Sequence, residues 1–598
     1  MRTSIATVSL SGSLTEKLTA AARAGFDGVE IFENDLLASP LTPEEIRARC
    51  ADLGLTIDLY QPMRDIEAVP EAEFGRNLRR ARHKFELMNR LGADTVLVCS
   101  SVSPHAVDDD SLAAGQLSRL ADLAGEFGIR VAYEALAWGR HVNTYEHAWR
   151  IVDTAGHPAL GTCLDSFHIL SRGSEPKDLE GIAGIPGEKI FFLQLADAPL
   201  LAMDVLQWSR HYRCFPGQGG FDLANLLGHV LRTGYSGPLS LEVFNDVFRQ
   251  ADAGPTAVDA HRSLLLLREA AGAAELPAPV VPTGIAFAEL LTADAEPVTA
   301  VLAALGFTRV ARHRGKPVDL WQSGRARVLV NTGPAARRDG TRLAAIGLES
   351  PDPAAAARRA EALLAPVLPR RRAPGDAPLE AVSAPDGTEL FFCATGRDQL
   401  PDWRADFEDL PDRGAAAPGA TRVDHLALTQ PWHHFDEAAL FHRSVLGLSA
   451  QESVDVADPY GLLRSRAVAN ADGSVRIALS VGAAPSDDTV HAQHIALATD
   501  DVVAAARRFL AAGGRLLPIP ANYYDDLAAR FEFADGELET YRELGILYDR
   551  DAHGEFRHCY TRTVGRVFFE LVQRDGGHRG YGAQNAPVRL AAQHLTGG

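Results

Sequence analysis

Over residues 1 to about 270, short apolar runs alternate with segments of helical period. The runs read as strands at 3–10, 28–33, 55–63, 95–101, 130–137, 160–167, 190–197 and 239–245. They are nearly continuous in Val, Ile, Leu and Phe, as strands covered on both faces are. Between them lie segments such as LTEKLTAAARAG (14–25) and LSRLADLAGEFG (117–128), which end at glycine as helices commonly do. Eight strand–helix units in about 250 residues predict an α/β (β/α)8 TIM barrel over residues 1–271, and the count disfavours an open doubly wound sheet.

The pattern changes at GAAELPAPVVPTG (272–284), an Ala/Pro stretch without period that reads as a linker. Beyond it strands outnumber helices. The order strand, helix, strands recurs about four times, in modules at about 285–408 and 422–590 separated by DLPDRGAAAPGATR (409–422). Such repetition predicts a duplicated α+β fold over residues 285–598.

The informative positions are those that break the barrel's apolar runs. Gln194 stands inside IFFLQLAD, where a buried amide without partners costs roughly 1–3 kcal/mol. Glu134, Asp165 and Glu242 fall near the ends of the fifth, sixth and eighth strands, where barrel enzymes carry their chemistry. Four oxygen donors on neighbouring strands would converge, and three carboxylates that close repel unless a cation joins them. Hard oxygen ligands suit Mg²⁺, Mn²⁺ or Co²⁺, so the amide oxygen of Gln194 is expected to ligate the ion. Any one of the four alone reads better as a strand-end residue bonded to a loop; together they favour a metal.

Further polar residues belong to the same face. YQPMRD carries Tyr60 and Arg64, His168 follows Asp165 by three residues, and SRHYRCFPGQGG brings Arg210, His211 and Arg213. Arginines beside such a site suit a small-molecule substrate with a carboxylate or phosphate. The plainer alternatives are surface neutralisation for the arginines and a structural hydrogen bond for His168.

Charge narrows the partners. A formal charge of −19 argues against a nucleic-acid partner. The six cysteines are scattered without a C-x-x-C pair, as expected of a protein in a reducing cytoplasm. MRTSIATVSLSGSL lacks the apolar core of a signal peptide, and no run approaches the ~20 apolar residues of a membrane span. The expectation is a cytoplasmic protein with no membrane partner and with room for homo-oligomer formation.

YQPMRDIEA, VCSSVSP, AYEALAWGRHVNTYEHAW, LDSFHILSRG, QLADAPL and SRHYRCFPGQG make residues 1–270 resemble the xylose isomerase-like barrels, and among them the bacterial 3-dehydroshikimate dehydratases. That resemblance implies a metal-dependent lyase turning 3-dehydroshikimate into protocatechuate in quinate and shikimate breakdown. Its ligands would be Glu134, Asp165, Gln194 and Glu242. His168 is then the candidate base, Tyr60 and Arg64 lie near the substrate, and Arg210, His211 and Arg213 bind it. A sugar or keto-acid isomerase using the same ligands is the alternative.

Residues 284–590 resemble 4-hydroxyphenylpyruvate dioxygenase, a vicinal-oxygen-chelate fold. The resemblance implies a second divalent metal, Fe or Mg, on His425 (VDHLALT), His494 (AQHIALAT) and Glu570 (VFFELVQR), the two-histidine, one-carboxylate set of non-haem iron sites. An Fe(II) dioxygenase acting through this half is a further alternative. The segment AAPSDDTV (483–490) departs from the substrate segment of the true dioxygenases and argues against hydroxyphenylpyruvate.

Overall fold

The computed structural model describes all residues except 174–175, 337–339, 370–375, 395–401, 412–419, 459–460, 482–491 and 597–598. The divergent segment 483–490 and most of the boundary stretch 409–422 therefore lie outside the described residues. The chain separates into two compact units, Met1–Glu275 and Leu276–Gly598.

The first unit is the expected barrel. Its strands are β1 (Thr3–Ala6), β2 (Gly28–Phe32), β3 (Thr56–Met63), β4 (Thr95–Cys99), β5 (Arg130–Glu134), β6 (Leu160–Asp165), β7 (Ile190–Leu195) and β8 (Leu239–Leu241). They close in sequence order, and β8 pairs parallel with β1. Local chemistry starts and stops the helices. Ser13 and Glu16 form a reciprocal capping box at the start of the helix Leu14–Ala24, and Gly25 ends it at φ 93°, a left-handed turn that a Cβ would strain.

Alternation along each strand sorts the barrel's side chains into two sets. Leu59, Leu97, Cys99, Ala132, Cys163 and Phe192 pack together in one buried cluster. Tyr60, Val96, Val98, Val131, Leu164 and Leu193 belong to the larger core that includes the surrounding helices. The residues at positions 30, 61, 134, 165, 194, 240 and 242 share the parity of the first set.

The second unit holds two eight-stranded sheets. The first comprises β9 (Gly284–Leu291), β10 (Thr308–His313), β11 (Val318–Ser323), β12 (Ala326–Asn331), β13 (Arg342–Ser350), β14 (Glu380–Ser383), β15 (Glu389–Ala394) and β16 (Phe407–Asp409). The second comprises β17 (Arg422–Thr429), β18 (Ser449–Asp458), β19 (Gly461–Ala469), β20 (Arg476–Val481), β21 (Gln493–Ala498), β22 (Leu547–Arg550), β23 (Gly554–Tyr560) and β24 (Val567–Gly576). Its order is β18-β19-β20-β17-β21-β24-β23-β22. An antiparallel β17–β21 pair sits at the centre, each strand flanked by a parallel neighbour, β20 or β24. The pairs β9–β13, β9–β12 and β13–β15 repeat this arrangement in the first sheet, which is the duplication expected from the sequence.

Candidate active site

A cleft of about 320 Å³ opens over the carboxyl ends of the barrel strands. Glu134 and Asp165 are the last residues of β5 and β6, Gln194 is the penultimate residue of β7, and Glu242 follows β8. All four are buried. Ligand atoms of Glu134, Asp165 and His168 lie within 4.8 Å of one another. Burial, joined by repulsion from Asp165 and Glu242, holds the Glu134 carboxyl well above its ordinary range. Burial also pushes Glu242 up to about 7, against the pull of Arg213. Asp165 resists the same burial because Arg213 and His168 hold its carboxyl low.

These residues fit a divalent cation. Glu134 Oε1 is buried without a hydrogen-bond partner, so the cluster has an oxygen to spare and more negative charge than its single buried guanidinium offsets. The donors are carboxylate and amide oxygens, the chemistry of hard cations.

Gln194 has a partner that the sequence reading missed. Its Nε2 donates to Glu30 Oε2 at 2.6 Å, and Gln61 Nε2 donates to the same oxygen at 2.7 Å. Ser240 Oγ bonds the other oxygen, Oε1. An amide that gives its N–H₂ to Glu30 keeps its carbonyl oxygen for other partners; the Cys163 thiol donates to it weakly at 3.5 Å, a contact an ion could replace. The signal was available, since GVEIF (28–32) carries one acid in an otherwise apolar strand, the same fault that marks Gln194. Burial and the charge of Glu242 hold Glu30 itself well above the usual carboxylate range.

The structure corrects two assignments, those of Tyr60 and His211. Tyr60 was expected near the substrate, yet its neighbours Leu59 and Gln61 take the lumen parity, so Tyr60 packs among the core side chains. Its hydroxyl accepts from Lys84 Nζ at 3.4 Å, and burial raises it to about 12. His211 pairs with Asp246 at 2.9 Å and does not line the cleft. Arg213, expected to bind substrate, does line the cleft, but it is 1% exposed, anchored on Ser209, and donates to Asp165 Oδ2 at 2.8 Å and Glu242 Oε2 at 3.0 Å. Arg64 and Arg210 do line the cleft and are exposed to it. Arg80 and Lys84, one helical turn apart on Glu71–Leu91, join them there unforeseen.

His168 lines the same cleft. The main-chain N–H of Ala137 donates to Nδ1 at 3.1 Å, and Nη2 of Arg213 lies 3.3 Å from Nε2. Burial pushes the imidazole down to about 3, which keeps it neutral.

In the second unit β17, β21 and β24 bring His425, His494 and Glu570 together. Glu570 Oε2 lies 3.1 Å from Nε2 of each histidine, and the two Nε2 atoms are 3.3 Å apart. Three adjacent ligands at the ~2.1 Å of metal–nitrogen and metal–oxygen bonds would be about 3 Å apart, so the triangle fits an ion. Asp424 accepts from His425 Nδ1 at 2.9 Å, leaving the Nε2 lone pair for the ion. His558 Nδ1 bonds Glu570 Oε1 at 2.7 Å, and Asn585 Nδ2 lies 3.0 Å from His558 Nε2. Neither Asp424 nor His558 was singled out from the sequence, although DH at 424–425 was legible.

Comparisons with known proteins agree with both halves. The family model "Xylose isomerase-like TIM barrel" matches residues 18–269. "Hydroxyphenylpyruvate dioxygenase, HPPD, N-terminal" matches residues 277–394, and "Glyoxalase/Bleomycin resistance protein/Dioxygenase superfamily" matches residues 422–538. The chain is 44% identical to a 3-dehydroshikimate dehydratase of Pseudomonas putida, over 99% of this chain and 98% of the relative. It is 46% identical to a 3-dehydroshikimate dehydratase of Pseudomonas aeruginosa, with the same coverage of each chain. A solved "xylose isomerase-like TIM barrel/4-hydroxyphenylpyruvate dioxygenase fusion protein" superposes with a TM-score of 0.89 at 43% identity, over 100% of this chain and 99% of that one. The chain thus belongs to the 3-dehydroshikimate dehydratase family, in the two-part form that joins a TIM barrel to a vicinal-oxygen-chelate unit.

Proposed function

We propose that the barrel cleft removes water from 3-dehydroshikimate to give protocatechuate, with a divalent ion on Glu134, Asp165, Gln194 and Glu242. The reading rests on the four oxygen donors gathered at the carboxyl ends of β5–β8, under arginines, in a chain so close to named dehydratases along its whole length. A divalent ion bound there would polarise the C3 ketone and acidify the neighbouring C4–H.

The chain's own residues do the rest. Arg64 and Arg210 at the cleft mouth take the substrate carboxylate, for which a guanidinium offers paired donors. His168, a neutral imidazole in the cleft, takes the C4 proton and returns a proton to the C5 hydroxyl, which leaves as water before the ring tautomerises to the aromatic acid. Arg213 keeps Asp165 ionised and offsets the local carboxylates. Trp138, packed edge-on to His168 at 5.0 Å, and Leu136 line the cleft with apolar surface. An isomerase with the same ligands would not release water or build an aromatic ring.

For the second unit we propose a divalent ion, Fe or Mg, on His425, His494 and Glu570. All six cysteines are free and buried, and no helix among the described residues is long and apolar enough to cross a membrane. Both features suit the cytoplasm.

The deciding experiment is an assay of the full chain with 3-dehydroshikimate under nitrogen, following the ultraviolet absorbance of the new aromatic ring. Chelation should abolish the signal and Mg²⁺, Mn²⁺ or Co²⁺ should restore it. Glu134→Ala should lose metal and activity while staying folded. Full turnover by metal-free protein would refute the reading.

A further inference from the structure

The cavity beside His425 and His494 has a volume of about 290 Å³. Among the described residues no Asp or Glu side chain lines it, whereas Arg589 and Gln593 do. Both come from the last helix, Ala586–Leu595, four residues apart and so on one face. Arg589 Nη1 donates to Gln593 Oε1 at 2.7 Å. That bond fixes the amide and leaves Gln593 Nε2 as a buried donor with no acceptor. The guanidinium lies over the rings of Tyr560 and Phe568, 5.7 and 5.5 Å from their centroids, so it is held in place. No carboxylate among the described residues pairs with it within salt-bridge distance.

A fixed guanidinium beside an unsatisfied amide N–H₂ is a site for a carboxylate, because an orphaned buried donor costs free energy until an acceptor arrives. Val456, Leu463, Ala478 and Leu590 give the cavity an apolar stretch that suits a flat ring, beside polar residues that include Thr429, Ser480 and Arg566. The histidines lie in the same cavity, where an oxygen substituent could reach an ion on the triad.

We propose that Arg589 and Gln593 form a carboxylate subsite and that the cavity takes a hydroxylated aromatic acid, the class to which the product of the barrel reaction belongs. The choice of ring acid rests on the dehydratase reading. The carboxylate subsite rests on the second unit alone.

The test uses the full chain carrying Glu134→Ala, which disables the barrel's own ion site, reconstituted with Co²⁺. Protocatechuate, benzoate and catechol are titrated in separately by calorimetry. Protocatechuate should bind at one site, and Arg589→Met should weaken it about 10- to 100-fold, the effect of losing a charge-assisted hydrogen bond. Gln593→Leu should weaken it less, and provides a second variant if Arg589→Met does not fold. Catechol, lacking the carboxylate, should be indifferent to Arg589→Met. His425→Ala should weaken protocatechuate but not benzoate. Unchanged protocatechuate affinity in both helix variants, or no binding of any of the three compounds, would overturn the proposal. Equal, Arg589-dependent binding of benzoate and protocatechuate would overturn the hydroxylated ring while supporting the carboxylate subsite. Turnover of 3-dehydroshikimate is measured separately, so failure of the dehydratase reading would not be mistaken for failure of this one.

Discussion

Replacing Glu30 tests how the barrel presents Gln194 to an ion. Glu30→Leu removes the acceptor of two buried amides and one hydroxyl, those of Gln61, Gln194 and Ser240. Each orphaned donor costs ~1–3 kcal/mol, less for a hydroxyl that can rotate, so the folded state should lose about 2–5 kcal/mol. The amide of Gln194 would also be free to turn its N–H₂ toward the ion. Loss of such an outer partner typically costs 10- to 100-fold in metal affinity. Glu30→Gln separates the two effects. Its carbonyl can occupy the place of Oε2 and receive both amides, while its N–H₂ faces the Ser240 oxygen. This holds whether or not Glu30 is ionised, because Oε2 is an acceptor in either state. Metal-stripped proteins would be titrated with Mn²⁺ or Co²⁺ against a chromophoric chelator, alongside thermal melting. Glu30→Leu should bind metal about 10- to 100-fold more weakly, and Glu30→Gln within about threefold of wild type. Wild-type affinity in Glu30→Leu, or equal losses in both variants, would refute the orienting role.

His168→Ala should lower kcat about 10²- to 10⁴-fold, the effect of removing a positioned base, with metal content unchanged; a fall in metal content would make His168 a ligand instead. His425→Ala, His494→Ala and Glu570→Ala should leave dehydration largely intact, and a loss as deep as that of Glu134→Ala would join the two halves into one catalytic site. Asp424 is held well below its ordinary range by His425 and Arg574 although burial pushes the other way, so its contribution to stability is present above the unfolded pKa of about 3.9 and fades as pH falls further. Asp424→Asn, which leaves Arg574 without its carboxylate partner, should cost ~3–5 kcal/mol near pH 7. In denaturant titrations the gap from wild type should narrow only below about pH 4, and a gap that closed at higher pH would contradict the assignment.

The sequence alone determined the elements and the parity of their side chains. Eight apolar runs with helical segments between them leave little but a closed parallel barrel, and the two-residue period of a strand decides which side chains share a face. Glu134, Asp165 and Gln194 were legible for that reason, being polar residues at lumen positions in runs that are otherwise apolar. The same period, applied strictly, would have excluded Tyr60, which stands between Leu59 and Gln61, and would have found Glu30 in GVEIFE. What tertiary structure decided are contacts between residues far apart in the chain. The meeting of Glu30 with Gln194 spans 164 positions, and no local pattern encodes it. Arg213 enters the carboxylate cluster because the loop after β7 folds back on Ser209, and Lys84 and Arg80 arrive from a helix whose period says only that they share a face. The imidazole of His168 is held between the main-chain N–H of Ala137, 31 residues away, and the guanidinium of Arg213, 45 residues away. Periodicity is a property of neighbours along the chain, whereas the orientation of an amide, an imidazole or a guanidinium is set by whatever donor or acceptor the closed barrel brings within 3 Å of it.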